Sequence, residues 1–258
     1  MSRPRPPRTV NRRRFMTLAA QAGLLLLAGC DNLSRSEWFP SVLSRAESLT
    51  QRVQRWLTPR RAMAKEFTEA DLSPVFPPNG TRMPETADYQ ALAQQAFADW
   101  RLEVTGLVAR PRAYSLAELR ALPGRTQITR HDCVEGWSAI GKWRGVPLSV
   151  ILQDAQPLPA AQFVVFHCAD LYDEDQPYYE SVDLEDAHHP QTILAYEMND
   201  QPLPIAHGAP LRLRVERQLG YKHAKYVMRI ELVESFGSLY GGRGGYWEDQ
   251  GYEWYAGI

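Results

Sequence analysis

The 258-residue chain is poor in the motifs that mark common enzyme classes. Its three cysteines form no C-x-x-C pair, and its six histidines do not recur at the short spacing of a zinc site. No G-x-G-x-x-G follows a predicted strand, and neither a phosphate-loop lysine motif nor a G-x-S-x-G is present. These absences argue against zinc, a nicotinamide cofactor, a nucleoside triphosphate and the serine nucleophile of that motif.

Long hydrophobic runs are also missing. The most prominent apolar stretch, Leu18 to Gly29, has 12 residues and is too short to span a bilayer comfortably as a helix. It follows residues 1–14, which hold six arginines and no acidic residue. A basic start before a short apolar run is typical of a secretion signal, so we expect residues 1–29 to be a signal peptide.

Two details refine this signal. Arg12-Arg13-Arg14-Phe15-Met16 matches the twin-arginine export pattern, and Leu27-Ala28-Gly29-Cys30 matches the cleavage box of bacterial lipoproteins. We therefore expect export of the folded protein and a lipid anchor on Cys30, on the periplasmic side of the inner membrane. An ordinary secretion signal with a chance arginine pair is the alternative.

Net charge limits the partners. Cleavage after residue 29 would remove six of the 29 basic residues and none of the 30 acidic ones, which leaves a net charge of −7. Nucleic-acid binding requires a basic face, so we do not expect a nucleic-acid partner.

Cys133 is the most informative residue. It lies in Arg130-His131-Asp132-Cys133-Val134-Glu135-Gly136-Trp137-Ser138, among charged and aromatic neighbours on a predicted loop. Such a polar setting suits a thiolate that binds a metal or acts as a nucleophile. In an oxidising compartment Cys133 could instead pair with Cys168, closing a loop of about 35 residues worth roughly 4 kcal/mol. The residues alone leave both readings open.

The hydrophobic pattern predicts one mixed α+β domain over residues 100–236, between an N-terminal extension (30–99) and a tail (237–258). Strands are expected at 100–105, 163–166, 211–216 and 226–233, the last two of them half-buried. Helices are expected near 88–97, from the capping box Ser115–Glu118, and from Leu148. A further helix before Arg61 should pack its apolar stripe on the domain surface, with a lipid-facing role as the alternative. The aromatic tail should wrap the surface through its rings.

Two basic clusters follow in the second half of the chain, at residues 207–212 and 220–225. Arg212 and Lys225 put fixed positive charge near a glycine-containing turn. An anionic group such as a phosphate needs this arrangement, and arginine suits bidentate contact.

Three segments together resemble a known family: C-V-E-G-W-S at 133–138 with W-x-G-V-P-L at 143–148, H-G-x-P-x-R at 207–212, and G-Y-K-x-x-K at 220–225. They are similar to the cofactor-binding segments of the sulfite-oxidase-fold molybdopterin-dependent oxidoreductases, near the periplasmic methionine-sulfoxide reductase branch. That branch has an asparagine at the position of His207. The resemblance implies a single molybdopterin-binding α+β domain of the sulfite oxidase fold.

The same resemblance implies roles for individual residues. Cys133 would supply the protein sulfur bound to molybdenum, and Tyr221 and Lys222 would line the substrate funnel, with Tyr221 in a catalytic role. The residues implied to contact or adjoin the molybdenum–pterin cofactor are Asn79, Cys168, His207, Arg212, His223, Ala224 and Lys225.

The implied activity is two-electron oxygen-atom transfer on a small-molecule substrate, either S- or N-oxide reduction or sulfite-type oxidation. The chain lacks the haem domain and the C-terminal dimerisation domain of larger members, so we expect electron exchange with a separate partner. A membrane cytochrome b is the first candidate, because of the expected lipid anchor. The competing hypothesis is a cofactor-free binding lipoprotein with a Cys133–Cys168 disulfide.

Overall fold

The computed structural model describes residues 49–172 and 176–258. The signal peptide, Cys30 and most of the tether lie outside the described residues, so the expectations for them stay predictions. The chain divides into two units, 1–53 and 54–258, and the second contains both β-sheets. Its residues 54–57 are helical as predicted, but Trp56 is 84% exposed, so the expectation that this face packs on the domain is wrong there. Among the described residues, no helix combines the length and apolarity needed to cross a membrane.

Two five-stranded sheets form the second unit. The first has the order β2-β1-β10-β5-β6, with β1 and β10 parallel and the other pairs antiparallel. The second has the order β3-β4-β7-β8, and β9 pairs with the other end of β7. The strands are β1 Arg101–Gly106, β2 Arg112–Ser115, β3 Arg125–Asp132, β4 Ser138–Pro147, β5 Phe163–Tyr172, β6 Gln176–Asp183, β7 Thr192–Met198, β8 Gln201–Pro202, β9 Arg212–Val215 and β10 Val227–Val233.

Short helices connect the strands. They are α1 Ala87–Gln94, α2 Leu116–Ala121, α3 Leu148–Ala155, α4 Leu184–Ala187 and α5 Tyr246–Asp249, with 3-10 turns at Glu69–Asp71, Ile205–His207 and Gly220–Lys222. The capping box that starts α2 is present: the Glu118 backbone N–H donates to Ser115 Oγ, and the Ser115 backbone N–H donates to Glu118. The main apolar core covers the first sheet and includes Ile151 and Leu152 of α3.

The α+β class is confirmed, and β1 and β10 lie within a residue of their predicted positions. The prediction of a half-buried strand at 211–216 is wrong. All four residues of β9 are buried, including Arg212 and Arg214, which are both 0% exposed. This strand therefore places two guanidinium groups inside the protein, where each needs a partner.

Candidate functional site

A cavity of about 120 Å³ lies beside the turn that joins β3 to β4. This volume is that of several water molecules, so the groups on its wall face open space rather than packed protein. The described residues that line it are Asn79, Gly80, Cys133, Val134, Glu135, Asp170, Tyr172, Tyr178, Tyr221, His223, Lys225, Trp247 and Tyr252.

Cys133 stands on that turn, as the sequence predicted. Its backbone N–H donates to Trp137 O at 2.9 Å, and the Gly136 N–H donates back to Cys133 O at 3.1 Å. Gly136 has φ +89°, a left-handed conformation that glycine adopts without strain. These backbone hydrogen bonds stabilise the turn that places the Cys133 thiol at the cavity.

The electrostatic setting of Cys133 differs from the expectation of a polar, ionising environment. Burial raises the pKa of the Cys133 thiol above its ordinary value, and the Glu135 carboxylate raises it further. The Glu135 backbone N–H and the Arg212 charge oppose this rise. The surroundings therefore do not ionise the thiol by themselves, and a bound metal would have to displace the proton.

Arg212 and Arg214 give the site a buried cationic base. Arg214 is compensated, because its Nη2 lies 2.6 Å from Glu216 Oε2 and its Nη1 lies 3.0 Å from His131 Nδ1. Arg212 has only uncharged partners among the described residues, Asn79 Oδ1 at 3.1 Å and His207 O at 3.2 Å. Burial and the neighbouring Arg214 lower the pKa of Arg212 to about 9. An unpaired buried charge of this kind calls for an anionic ligand.

Lys225 adds a second buried cation, and the Asp170 and Glu135 carboxyl groups favour its charged form. Its Nζ donates to the carbonyl oxygens of Asn79 at 2.6 Å, Ala206 at 3.1 Å and Thr81. Burial and the charge of Arg212 lower the pKa of Lys225 to about 7. Asn79 thus contacts both cations, through its side chain and its carbonyl, and the loop that carries it joins the site.

Three histidines border these cations. Burial lowers the pKa of His131 and of His223 well below the ordinary value, and burial with Arg212 lowers that of His207 to about 4. All three rings are therefore neutral at neutral pH. His131 and His223 meet edge to face, 5.0 Å between ring centroids. Gly220 allows the His131 ring to pack against the turn, because a Cβ at position 220 would lie 2.5 Å from His131 Nε2.

The low pKa of His207 predicts a pH effect on stability. Between pH 6.5 and about 4 the unfolded chain binds a proton at His207 that the folded chain does not, so this residue destabilises the fold as pH falls through that window. We expect His207→Asn to lose less unfolding free energy than the wild type between pH 7 and pH 4.5. Urea denaturation at the two pH values measures this, and equal losses in the two proteins would contradict it.

The donor set fits an anionic, hydrogen-bonding cofactor. Among the buried nitrogen atoms that lack a hydrogen-bond partner in the described structure, four belong to the arginine and histidines of this site: Arg212 Nε, His207 Nδ1, His223 Nδ1 and His131 Nε2. A buried polar atom left unsatisfied costs about 1–3 kcal/mol, so such atoms gathered at one place indicate a ligand that supplies the missing partners. Cys133 adds a soft sulfur ligand at the adjoining wall, suited to a transition metal.

The structure brings most of the expected site residues together and separates others. Asn79, Cys133, Tyr221, His223 and Lys225 line the cavity, while His207 and Arg212 stand directly behind Asn79 and Lys225. Ala224 is buried and hydrogen-bonded to Leu213 and Lys222 through its backbone.

Two expected residues have different surroundings. Cys168 packs in the main core, and burial raises the pKa of its thiol well above the ordinary value. Both Cys168 and Cys133 are free thiols, so the structure gives no support to the disulfide hypothesis. Lys222 is 0% exposed and pairs with Glu180 and Glu248, so the expectation that it lines the substrate funnel is wrong.

Sequence reasoning missed part of the wall. Asp170 lines the cavity two residues after Cys168, and its buried Oδ1 has no described partner. Burial raises the pKa of Asp170 to about 6. Tyr178, Trp247 and Tyr252 complete an aromatic side, and the only signal for the last two was the unusual ring content of the tail.

The family model of the oxidoreductase molybdopterin-binding domain matches residues 89–238. A protein of Azospira oryzae, provisionally named a protein-methionine-sulfoxide reductase subunit, is 40% identical over 98% of this chain and 88% of its own length. The protein-methionine-sulfoxide reductase catalytic subunits of Gluconobacter oxydans and Xanthomonas campestris are each 37% identical, over 52% and 54% of this chain. The chain matches about half the length of those two relatives, 47% and 46%.

Among solved structures, the crystal structure of the sulfane dehydrogenase SoxCD from Paracoccus pantotrophus matches 54% of this chain and 39% of its own, with 25% identity and a TM-score of 0.48. The family model covers more than half of the present chain and includes Cys133, Arg212 and Lys225. These are the residues that place a sulfur ligand and buried positive charge around the cavity. The chain therefore belongs to the family of oxidoreductases with a molybdopterin-binding domain, and its cofactor is a molybdenum–pterin.

Proposed function

We propose that this enzyme reduces thioether S-oxides, with the oxidised side chain of methionine as the representative substrate. Its relatives named for methionine-sulfoxide reduction support this activity, since one of them aligns over nearly the whole chain. The overall change is R₂S=O plus two electrons and two protons to R₂S and water. Bound molybdenum–pterin supplies the two-electron oxygen-atom exchange, and the protein binds and orients the substrate.

The composition of the cavity wall carries the choice of substrate. Five aromatic rings and the carboxyl groups of Glu135 and Asp170 face the space beside Cys133, against the single formal charge of Lys225 on the described wall. A sulfite dianion would meet the Glu135 carboxylate at close range, and also the Asp170 carboxyl group whenever it is ionised, and like charges repel strongly in a partly buried site. A neutral sulfoxide has no such penalty, and its thioether end packs well against rings.

Individual side chains then have defined tasks. Cys133 holds the metal, Arg212 and Lys225 hold the anionic part of the pterin, and Asn79 orients both cations. Asp170, with its pKa near 6 and its unpartnered Oδ1, holds a proton at the cavity for the departing oxygen.

A two-direction assay tests the proposed substrate. The purified holoenzyme receives methionine sulfoxide with a reduced viologen dye as electron donor, or sulfite with ferricyanide as acceptor. We expect dye oxidation that depends on methionine sulfoxide, and no ferricyanide reduction by sulfite above the rate of a Cys133→Ser control. Turnover of sulfite with no turnover of the sulfoxide would reject the proposal.

Arg212→Gln should lower the cofactor content of the enzyme. Removing one charge-assisted hydrogen-bond donor to a buried anion weakens binding roughly 10- to 100-fold. Molybdenum and pterin are measured per mole of purified protein. The control is Arg144→Gln, since Arg144 is a largely exposed residue away from the cavity. Full cofactor content in Arg212→Gln would show that this residue does not hold the group.

We further propose that the enzyme is exported folded, is held by lipid at Cys30 on the periplasmic side of the inner membrane, and takes electrons from a membrane cytochrome b. The twin-arginine pattern and the lipoprotein box in residues 12–30 support this address. Cys30→Ser should move the exported protein from the membrane to the soluble fraction, as measured by fractionation and immunoblotting. Persistence of Cys30→Ser in the membrane fraction would exclude the lipid anchor.

A further inference from the structure

The cavity has a wall that the matched family domain does not supply. That match ends at residue 238, whereas Trp247 and Tyr252 of the tail both line the cavity that contains Cys133. The burial of the Tyr246 ring agrees with the expected anchoring of the tail by its rings, and Glu248 and Ala256 of the tail are buried as well. The tail is therefore part of the site's architecture.

Hydrogen bonds fix the tail on the residues that form the site. Tyr221 OH donates to Glu253 O at 2.6 Å, and the Leu219 N–H donates to Ala256 O at 2.9 Å. Tyr179 OH donates to Asp249 Oδ2 at 2.6 Å. These bonds connect both ends of the tail segment 246–256 to the 3-10 turn at Gly220–Lys222 and to β6.

Lys222 acts as the central attachment. Its buried ammonium group pairs with Glu180 of β6 and, at 2.5 Å, with Glu248 of α5. Tyr221 and His223, on either side of Lys222, line the cavity, as does Trp247 beside Glu248. One buried ion-pair cluster thus sets the position of Trp247 relative to the cofactor-binding loop.

The rings of the tail close the wall by direct contact. Tyr252 meets Tyr221 edge to face at 5.3 Å between centroids and also contacts Trp247 at 5.3 Å, and Trp247 meets Tyr172 at 5.9 Å. Tyr252 is 42% exposed although it lines the cavity, so the cavity reaches solvent at this ring. Trp247 and Tyr252 therefore stand where a substrate would enter.

We propose that Trp247 and Tyr252 form the substrate-selecting wall of this enzyme and admit thioether S-oxides with a slim aliphatic substituent. This inference rests on the proposed S-oxide reduction. The flat rings pack against the methyl–sulfur group and restrict the width available to the second substituent. Selection by width is a property of this tail and adds to the chemistry at Cys133.

The chain offers a matched control in Trp254. This second tail tryptophan packs against Phe163 and Phe236, and its indole N–H donates to Ser181 Oγ at 2.8 Å. It lies outside the described lining of the cavity. Trp247→Ala and Trp254→Ala remove the same ring from the same tail, and only the first removes a ring from the wall.

Steady-state kinetics of the holoenzymes give the first test, with methionine sulfoxide as the slim substrate and methyl phenyl sulfoxide as the wide one. For Trp247→Ala we expect KM for methionine sulfoxide to rise roughly fivefold with kcat nearly unchanged, because a ring–sulfur contact is lost. The ratio of kcat/KM for the wide over the slim substrate should rise. Trp254→Ala should keep the wild-type ratio. An unchanged ratio in Trp247→Ala would overturn the proposal.

A second test needs no turnover. Full-length protein from a host unable to make molybdopterin is treated with iodoacetamide or with a bulky maleimide, and mass spectrometry follows the peptide that carries Cys133. Trp247→Ala should raise the rate at which the bulky maleimide labels Cys133 roughly fivefold and leave the rate with iodoacetamide nearly unchanged, because thiol reactivity depends on access. Equal rates of maleimide labelling in Trp247→Ala and Trp254→Ala would refute the proposal that Trp247 limits access to Cys133.

The two tests separate the failure of the inference from failure of the proposed function. If the wild type reduces no sulfoxide, the proposed function fails and the labelling rates still decide whether Trp247 controls access. If the wild type is active and Trp247→Ala matches Trp254→Ala in both tests, the inference fails alone. Tyr252→Leu repeats both measurements at a position that is 42% exposed, should Trp247→Ala fold poorly.

Discussion

Cys133→Ser is expected to lower turnover more than about 100-fold, since even partners that only orient a metal's ligands typically cost 10- to 100-fold when removed. A serine hydroxyl stays protonated at neutral pH and is a hard donor, whereas the site requires a soft thiolate sulfur. The fold should survive, because the turn is held by backbone hydrogen bonds between Cys133, Gly136 and Trp137. The exchange is also close to isosteric and leaves no cavity.

The measurement combines dye-coupled turnover, molybdenum content and thermal unfolding on the same sample. The expected result is an inactive protein with wild-type thermal stability. Cys30→Ser makes the same exchange at the predicted lipid-anchor position, and its turnover with an artificial electron donor should equal that of the wild type. An active Cys133→Ser enzyme that retains molybdenum would disprove the role of this sulfur.

Local sequence patterns predicted the strands and helices that have one face exposed to water. Leu102 and Val104 alternate with exposed residues in β1, and Ser115 and Glu118 cap α2 as their spacing predicts. Each of these signals depends on neighbours within four residues. A short sequence window is therefore enough to predict both elements.

The same alternation failed at β9, for a reason that lies elsewhere in the chain. Arg212 and Arg214 alternate with Leu213, a pattern typical of a strand with one face in water. In the fold that polar face is covered, because Glu216 and His131 pair with Arg214 while Asn79, from a distant loop, accepts from Arg212. Glu216 is close in sequence, but His131 and Asn79 are more than 80 residues away from the arginines that they contact, and contacts at such separations do not appear in the local hydrophobic pattern.

The residues of the candidate site also fall into two groups: those that local motifs predict and those that only the tertiary fold brings to the cavity. Cys133, Arg212 and Lys225 could be predicted because they belong to short motifs that resemble the cofactor-binding segments of the family. Asp170, Trp247 and Tyr252 reach the cavity only through sheet pairing and through the attachment of the tail. The prediction that Lys222 lines the substrate funnel failed for a related reason. Its neighbours Tyr221 and His223 line the cavity, whereas the carboxylates that pair with Lys222 lie on β6 and α5.

Lys222→Met should destabilise the protein by about 3–5 kcal/mol, the usual cost of removing one partner from a buried ion pair. Lys222, Glu180 and Glu248 have side chains that are 0–1% exposed, so the two carboxylates would lose their counter-charge without gaining water. Lys142→Met is the matched control, because Lys142 also bridges two acidic residues, Glu69 and Asp200, which are 62% and 67% exposed. Its effect should be far smaller, since water screens such pairs.

The loss in Lys222→Met should also depend on pH in a definite direction. Burial and the neighbouring Glu248 raise the pKa of Glu180 well above its ordinary value, so above pH 4.5 the folded protein holds a proton that the unfolded chain releases. This linkage makes the contribution of Glu180 to stability fall as pH rises. Without the Lys222 charge the pKa of Glu180 rises further. The contribution of Glu180 to stability then continues to fall up to a higher pH than in the wild type.

Urea unfolding at pH 5 and pH 8 therefore distinguishes a charge effect from lost packing. The deficit of Lys222→Met relative to the wild type should be larger at pH 8 than at pH 5. Adding Glu180→Gln to Lys222→Met should restore part of the stability at pH 8, because one buried charge is removed. A deficit of the same size at both pH values, unaffected by Glu180→Gln, would mean that Lys222 stabilises the tail by packing alone.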